Sequence, residues 1–181
     1  MTALLCAVSD GRAYLGADSR QSLGGGDHRD GGEKIVRVGA WLFGCVGDCA
    51  VETWLRCMPM HPDEGEPAEP YLLRLALAFH EYWKANVSTD RPSVSLIAVH
   101  GGRAFSVSYP ANVYEIRDVF GDGCGGGSAH AGYTVARLLG VGVGDAIRMG
   151  IESAKVWNTS VGGAVHIWSS GPGDEQPVRV S

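Results

Sequence analysis

The chain has 181 residues, 45% hydrophobic and 19% charged, with a formal net charge of −5. That composition belongs to a globular protein, and the length suits one domain over residues 1–181 that needs no disulfide or metal staple. No basic run points to nucleic acid, no apolar stretch approaches the ~20 residues of a membrane span, and Met1–Val8 lacks the basic lead-in of a signal peptide. The expectation is a cytoplasmic protein whose five cysteines, Cys6, Cys45, Cys49, Cys57 and Cys124, stay reduced.

Thr2–Val8 is a continuous apolar run, the pattern of a strand buried on both faces. Asp10-Gly11 is a two-residue hairpin signal, and Arg12–Ala17 is the returning strand. Ser22–Gly32 is rich in glycine and aspartate and reads as a flexible surface loop. Lys34–Val38 and Ala40–Val46 form a second hairpin, turning near Gly39. Asp48 then caps a helix with apolar residues at positions 51, 54, 55 and 58. The acidic, proline-containing Pro59–Pro70 links it to an amphipathic helix over Tyr71–Val87. Ser93–His100 and Arg103–Tyr109 are strands joined at Gly101-Gly102, followed by a short strand, Val113–Ile116. Helices are expected over Ser128–Leu139 and Asp145–Trp157, and strands over Gly163–Ser169 and Val178–Val180. Strands and helices come in blocks rather than alternating, so the fold class is α+β. Two antiparallel sheets, each covered by a helix pair, make a four-layer αββα sandwich.

The 27 glycines are about twice the usual ~7% share and cluster at turns rather than in a repeat. Gly121, Gly123 and Gly126 spell G-x-G-x-x-G, which in another setting cradles a nucleotide phosphate. A dinucleotide fold needs further βαβ units for which the chain has no room, so a close backbone approach is the favoured reading. Cys45 and Cys49 lack the partners of a zinc set, and the six histidines show no metal spacing. No metal and no cofactor is expected, and no G-x-S-x-G nucleophile elbow is present.

The strongest chemistry lies at the N-terminus. Thr2 opens the first strand and Asp18 ends the second. Lys34 starts an apolar strand, where a desolvated ammonium needs a carboxylate, and Asp18 is the nearest candidate. Lys34 beside the Thr2 hydroxyl would favour an alkoxide-like transition state. Once Met1 is removed, the Thr2 amine, with an ordinary pKa of about 7.7–8.0, supplies the base.

These residues resemble the proteasome β-subunit and HslV family of N-terminal nucleophile hydrolases. The matching pieces are Thr2-Ala-Leu-Leu, Gly16-Ala-Asp-Ser-Arg20, Glu33-Lys-Ile-Val-Arg-Val38, Gly44-Cys-Val-Gly-Asp48, Gly123-Cys-Gly-Gly126 and Gly162-Gly-Ala-Val165. They run in family order over nearly the whole chain. Asp18 follows Thr2 by 16 residues and Lys34 follows it by 32, the family's spacing of threonine, aspartate and lysine. The resemblance implies the αββα fold and a threonine endopeptidase that cleaves peptides or unfolded proteins inside a homo-oligomeric ring. Family members generally work with an ATP-driven unfoldase. By position, Thr2 would be nucleophile and base, Asp18 would hold Lys34, Lys34 would tune Thr2, and the Gly47 N–H would form the oxyanion hole. Arg20, Gln21 and Ser22 would offer backbone to the substrate as an added strand. Ser19, Cys124, Ser128 and Asn158 would support the site.

Cys124 stands where the family often places a serine, with Ser128 further on, and two further positions depart from the family pattern. Asn158 and Val161 stand where proteasome subunits commonly carry aspartate and serine. They support an alternative, a catalytically weak or inactive ring subunit with an assembly role.

Overall fold

The computed structural model describes residues 2–24, 27–57, 60–63, 65–87, 90, 93–108 and 111–181. Strands β1 (Leu4–Ser9) and β2 (Arg12–Asp18) pair antiparallel about Asp10-Gly11. These two residues have φ of 52° and 73°, the left-handed pair of a type I′ hairpin, which Asp-Gly favours because glycine carries no Cβ penalty there. A short ribbon follows, β3 (Gln21–Gly24) with β4 (Asp27–Arg29). A second five-stranded sheet runs β5 (Ile35–Val38), β6 (Trp41–Gly47), β7 (Val94–His100), β8 (Arg103–Ser108) and β9 (Asn112–Ile116), in that spatial order. The first sheet is completed by β10 (Val119–Asp122) beside β1, and by β11 (Val165–Ser170) and β12 (Val178–Arg179) beyond β2. Helices α1 (Ala50–Cys57) and α2 (Ala68–Asn86) join β6 to β7, and α3 (Gly126–Leu138) and α4 (Val143–Trp157) join β10 to β11.

Three apolar layers hold the elements together. Leu4 and Cys6 of β1 meet Leu15 and Ala17 of β2 and Leu42, Ile97 and Val99 of the other sheet. The alternate residues Leu5 and Ala7 turn the other way, onto Ala129, Ile147 and Ile151 of α3 and α4. On the far side, Phe43, Leu96 and Phe105 pack against Trp54, Leu72, Leu75 and Phe79 of α1 and α2. The architecture is therefore the expected αββα sandwich, and β1 is buried on both faces as its unbroken apolar run required.

Three expectations are corrected. Ser22–Gly32 is not simply a loop but carries the β3–β4 ribbon, with Gly25 and Gly26 outside the described residues. β10 was not expected as a strand. Helix α2 begins at Ala68, inside the segment read as a linker, with Pro67 at its N-cap and Pro70 in its first turn, where the missing N–H has no intrahelical partner to lose. Met58, Pro59, Glu64 and Tyr109 lie outside the described residues. Among the described residues, no helix is long and apolar enough to cross a membrane.

Candidate active site

The β1–β2 register sets Leu4 opposite Ala17 and so brings Asp18 across from Ala3. The Ala3 N–H donates to Asp18 Oδ1 at 2.8 Å. Lys34, in the lead-in to β5 of the other sheet, places Nζ 2.8 Å from the same oxygen. Asp18 Oδ2 accepts from the Gly162 N–H at 3.0 Å and the Arg20 N–H at 3.3 Å. Asp18 is fully buried and the Lys34 side chain is 3% exposed. Such a pair persists in low dielectric because its lone pairs are satisfied. Burial pulls the Lys34 ammonium below its ordinary range, against the opposing attraction of Asp18.

Thr2 is buried and clasped from the other side by the turn before α3. The Gly125 N–H and the Cys124 thiol donate to the Thr2 carbonyl oxygen at 3.2 Å and 3.5 Å. Gly123 has φ 83°, and a Cβ there would lie 2.3 Å from that oxygen. A Cβ on Gly121 would strike the Gly126 carbonyl at a similar distance. The glycine run thus serves close backbone approach rather than a phosphate.

Gly47 ends β6 with φ 100°, and a Cβ there would fall 1.7 Å from the Ser93 carbonyl oxygen. Asp48 then caps α1, its Oδ1 accepting from the Ala50 N–H at 2.9 Å. At this corner opens a cleft of about 560 Å3 lined by Thr2, Gln21, Lys34, Gly47, Cys49 and Glu52, among others. Thr2, Lys34 and Gly47 therefore share one concave surface, with Asp18 behind it.

The remaining expected residues are placed as follows. Ser19 is buried, its Oγ accepting from the Ala164 N–H at 2.8 Å. The Arg20 guanidinium bridges Asp30 and the Thr159 carbonyl oxygen. Gln21 lines the cleft, and the Ser22 backbone pairs with His28 on the ribbon. The Ser128 carbonyl, on α3, accepts from Ser153 Oγ. Asn158 ends α4, its Oδ1 accepting from the Ser160 N–H at 3.0 Å. Val161 is buried, in contact range of Gly125. Met1 lies outside the described residues.

Sequence reasoning missed two contributors. The Gly162 N–H is a backbone group that leaves no residue-type signal. Glu52 of α1 reaches the cleft from the flank of the helix, outside the apolar stripe that located it, and burial pushes its carboxyl above the usual range while Arg56 and Lys34 pull it back.

No family model matches the chain, and no curated protein matches it. Solved structures do. Thiobacillus denitrificans BPH superposes with a TM-score of 0.80 at 17% identity, over 95% of this chain and 99% of that one. The same protein in complex with epoxomicin gives 0.78 at 18% identity, over 92% and 97%. The eukaryotic HslV from Trypanosoma brucei gives 0.66 at 18% identity, over 93% and 99%. The chain therefore has the four-layer αββα fold of the proteasome and HslV type.

Proposed function

We propose that the chain is a threonine-type endopeptidase subunit of a self-compartmentalising ring protease. The observation that carries this reading is the buried Asp18–Lys34 pair behind Thr2 at the head of a cleft. With Met1 removed, the neutral Thr2 amine takes the Oγ1 proton as Oγ1 attacks a peptide carbonyl. Lys34 lowers the energy of the developing alkoxide, and the Gly47 N–H receives the oxyanion. The ammonium returns its proton to the leaving amine as the C–N bond breaks, leaving an ester on Thr2. Water, deprotonated by the same amine, adds to that ester, and the ammonium returns the proton to Oγ1 as the C–Oγ1 bond breaks and the acid is released. Peptides or unfolded proteins are the substrates. Copies of the chain assemble into a ring with the sites inside, fed by an ATP-driven unfoldase in the cytoplasm.

The test is intact-mass spectrometry joined to turnover of fluorogenic peptides. Protein lacking Met1 should hydrolyse them and, with epoxomicin, gain mass at Thr2; Thr2→Ala should do neither. Protein with residues verified intact before Thr2 should be inactive. Full activity of that extended protein refutes the mechanism.

A second reading, an inactive ring subunit, draws on two residues. Asn158 Oδ1 is already occupied by the Ser160 N–H, and Val161 offers no polar group. Met-free protein that assembles but forms no ester with any peptide would favour it.

A further inference from the structure

The cleft beside Thr2 is more polar than apolar, and among the described residues no large apolar side chain lines it. Its charges are unevenly committed. Lys34 is tied to Asp18, and Asp48 holds the Ala50 N–H with one oxygen. Arg56 stands one turn after Glu52, the spacing at which a helix pairs opposite charges. Its guanidinium nevertheless donates to the Glu33 carbonyl oxygen at 2.7 Å. Glu52 is half-buried, and among the described residues its carboxylate has no hydrogen bond or ion pair. Taking a carboxylate partly out of water without a partner is costly. Apart from Lys34, which is paired with Asp18, the charged lining residues are Glu33, Asp48 and Glu52 against Arg56.

Three side-chain classes compete for such a cleft. An apolar side chain would meet polar groups it cannot satisfy, and an acidic one would face three carboxylates. A cationic one would supply the partner that Glu52 lacks. Resting on the endopeptidase reading above, we infer that the cleft selects substrates presenting lysine or arginine beside the bond to be cut, with Glu52 as the specificity-determining carboxylate. A charge-assisted hydrogen bond in a partly desolvated site favours the cation over a neutral isostere by about tenfold, the factor that ~1.4 kcal/mol gives.

The test separates binding from turnover. End-blocked tripeptides ending in arginine, in its uncharged isostere citrulline, or in glutamate are titrated calorimetrically into the full chain carrying Thr2→Ala, which does not consume them. The arginine peptide should bind about tenfold tighter than the citrulline peptide. Adding Glu52→Gln should shrink that ratio to near one, and Glu52→Lys should invert the preference toward glutamate. Equal binding of arginine and citrulline, an unchanged ratio in Glu52→Gln, tighter binding of glutamate, or no binding of the arginine peptide each overturns the inference. The preference without turnover by the Met-free protein would count against the endopeptidase reading alone. Turnover without the preference would count against this inference alone.

Discussion

Replacing the two members of the buried pair one at a time should produce unequal losses of stability. Lys34→Met removes one donor from Asp18 Oδ1 but leaves the carboxylate three backbone N–H groups, from Ala3, Gly162 and Arg20. The methionine fills most of the lysine stem's volume. The loss is close to one charged hydrogen bond, about 2 kcal/mol. Asp18→Asn is worse on two counts. Its NH2 must face two of the four donors, since each carboxylate oxygen now accepts two of them. It also deprives the 3%-exposed Lys34 ammonium of the carboxylate it is bonded to. Breaking a buried pair this way costs about 3–5 kcal/mol, so about 4 kcal/mol is expected. Urea unfolding followed by tryptophan fluorescence measures both, because Trp41, Trp54 and Trp83 are buried. Protomer concentration must be held fixed, since assembly would contribute to apparent stability. Equal losses, or a larger loss for Lys34→Met, would refute the assignment of Asp18 as the group that organises the site.

Gly47→Ala combines φ 100° with a backbone clash at 1.7 Å that no rotamer relieves. It should cost about 2–4 kcal/mol by thermal melting and abolish turnover; a wild-type melting temperature would sink that expectation. Glu52→Gln should stabilise the protein at neutral pH. The folded-state pKa of Glu52 lies above its ordinary 4.5 because of burial, so the folded chain binds more protons than the unfolded one in the interval between the two values. Stability contributed by this group is therefore present below 4.5 and lost as pH rises through the folded value. The advantage of Glu52→Gln should vanish on acidification below about 4.5, and a pH-independent difference would contradict it. Asn158→Ala removes the acceptor of the Ser160 N–H. It should cost about 1 kcal/mol in urea unfolding, with an unchanged midpoint counting against a role for that bond.

Much of the fold was legible because its signals are local. Asp10-Gly11 and Gly101-Gly102 both take positive φ, and Asp48 caps α1 where an aspartate before an apolar stripe predicts it. β10 was not legible. Val119–Asp122 is only partly buried along its length and owes its extended form to β1, far away in sequence. The β3–β4 ribbon was hidden because Asp27–Arg29, exposed along its length, has no apolar alternation to read. In the site, the Asp18–Lys34 contact was legible because burying a lysine at a strand start demands a carboxylate. Glu52 was not, because its importance comes from the cleft formed where the β6–α1 corner meets the Lys34 lead-in. No stretch of sequence encodes that meeting.

The bonds that hold the site also hold the sandwich. Through one carboxylate, Asp18 joins the lead-in to β1, the lead-in to β5 and the turn after α4, from both sheets. That last turn is itself fixed from several sides. Asn158 accepts the Ser160 and Val161 N–H groups, Arg20 holds the Thr159 carbonyl, and Lys155 holds the Gly163 carbonyl at 2.6 Å. Asn158 and Val161 thus belong to the segment that delivers the Gly162 N–H to Asp18. An asparagine at a helix C-terminus does this without placing a negative charge against the negative end of the α4 dipole. Asn158 is therefore compatible with a rigid turn that brings the Gly162 N–H to Asp18. Glu52 lies outside this framework. Among the described residues its carboxylate makes no hydrogen bond or ion pair, so Glu52→Gln tests selectivity with the bonds of Asp18 to Lys34 and to the Gly162 N–H left in place.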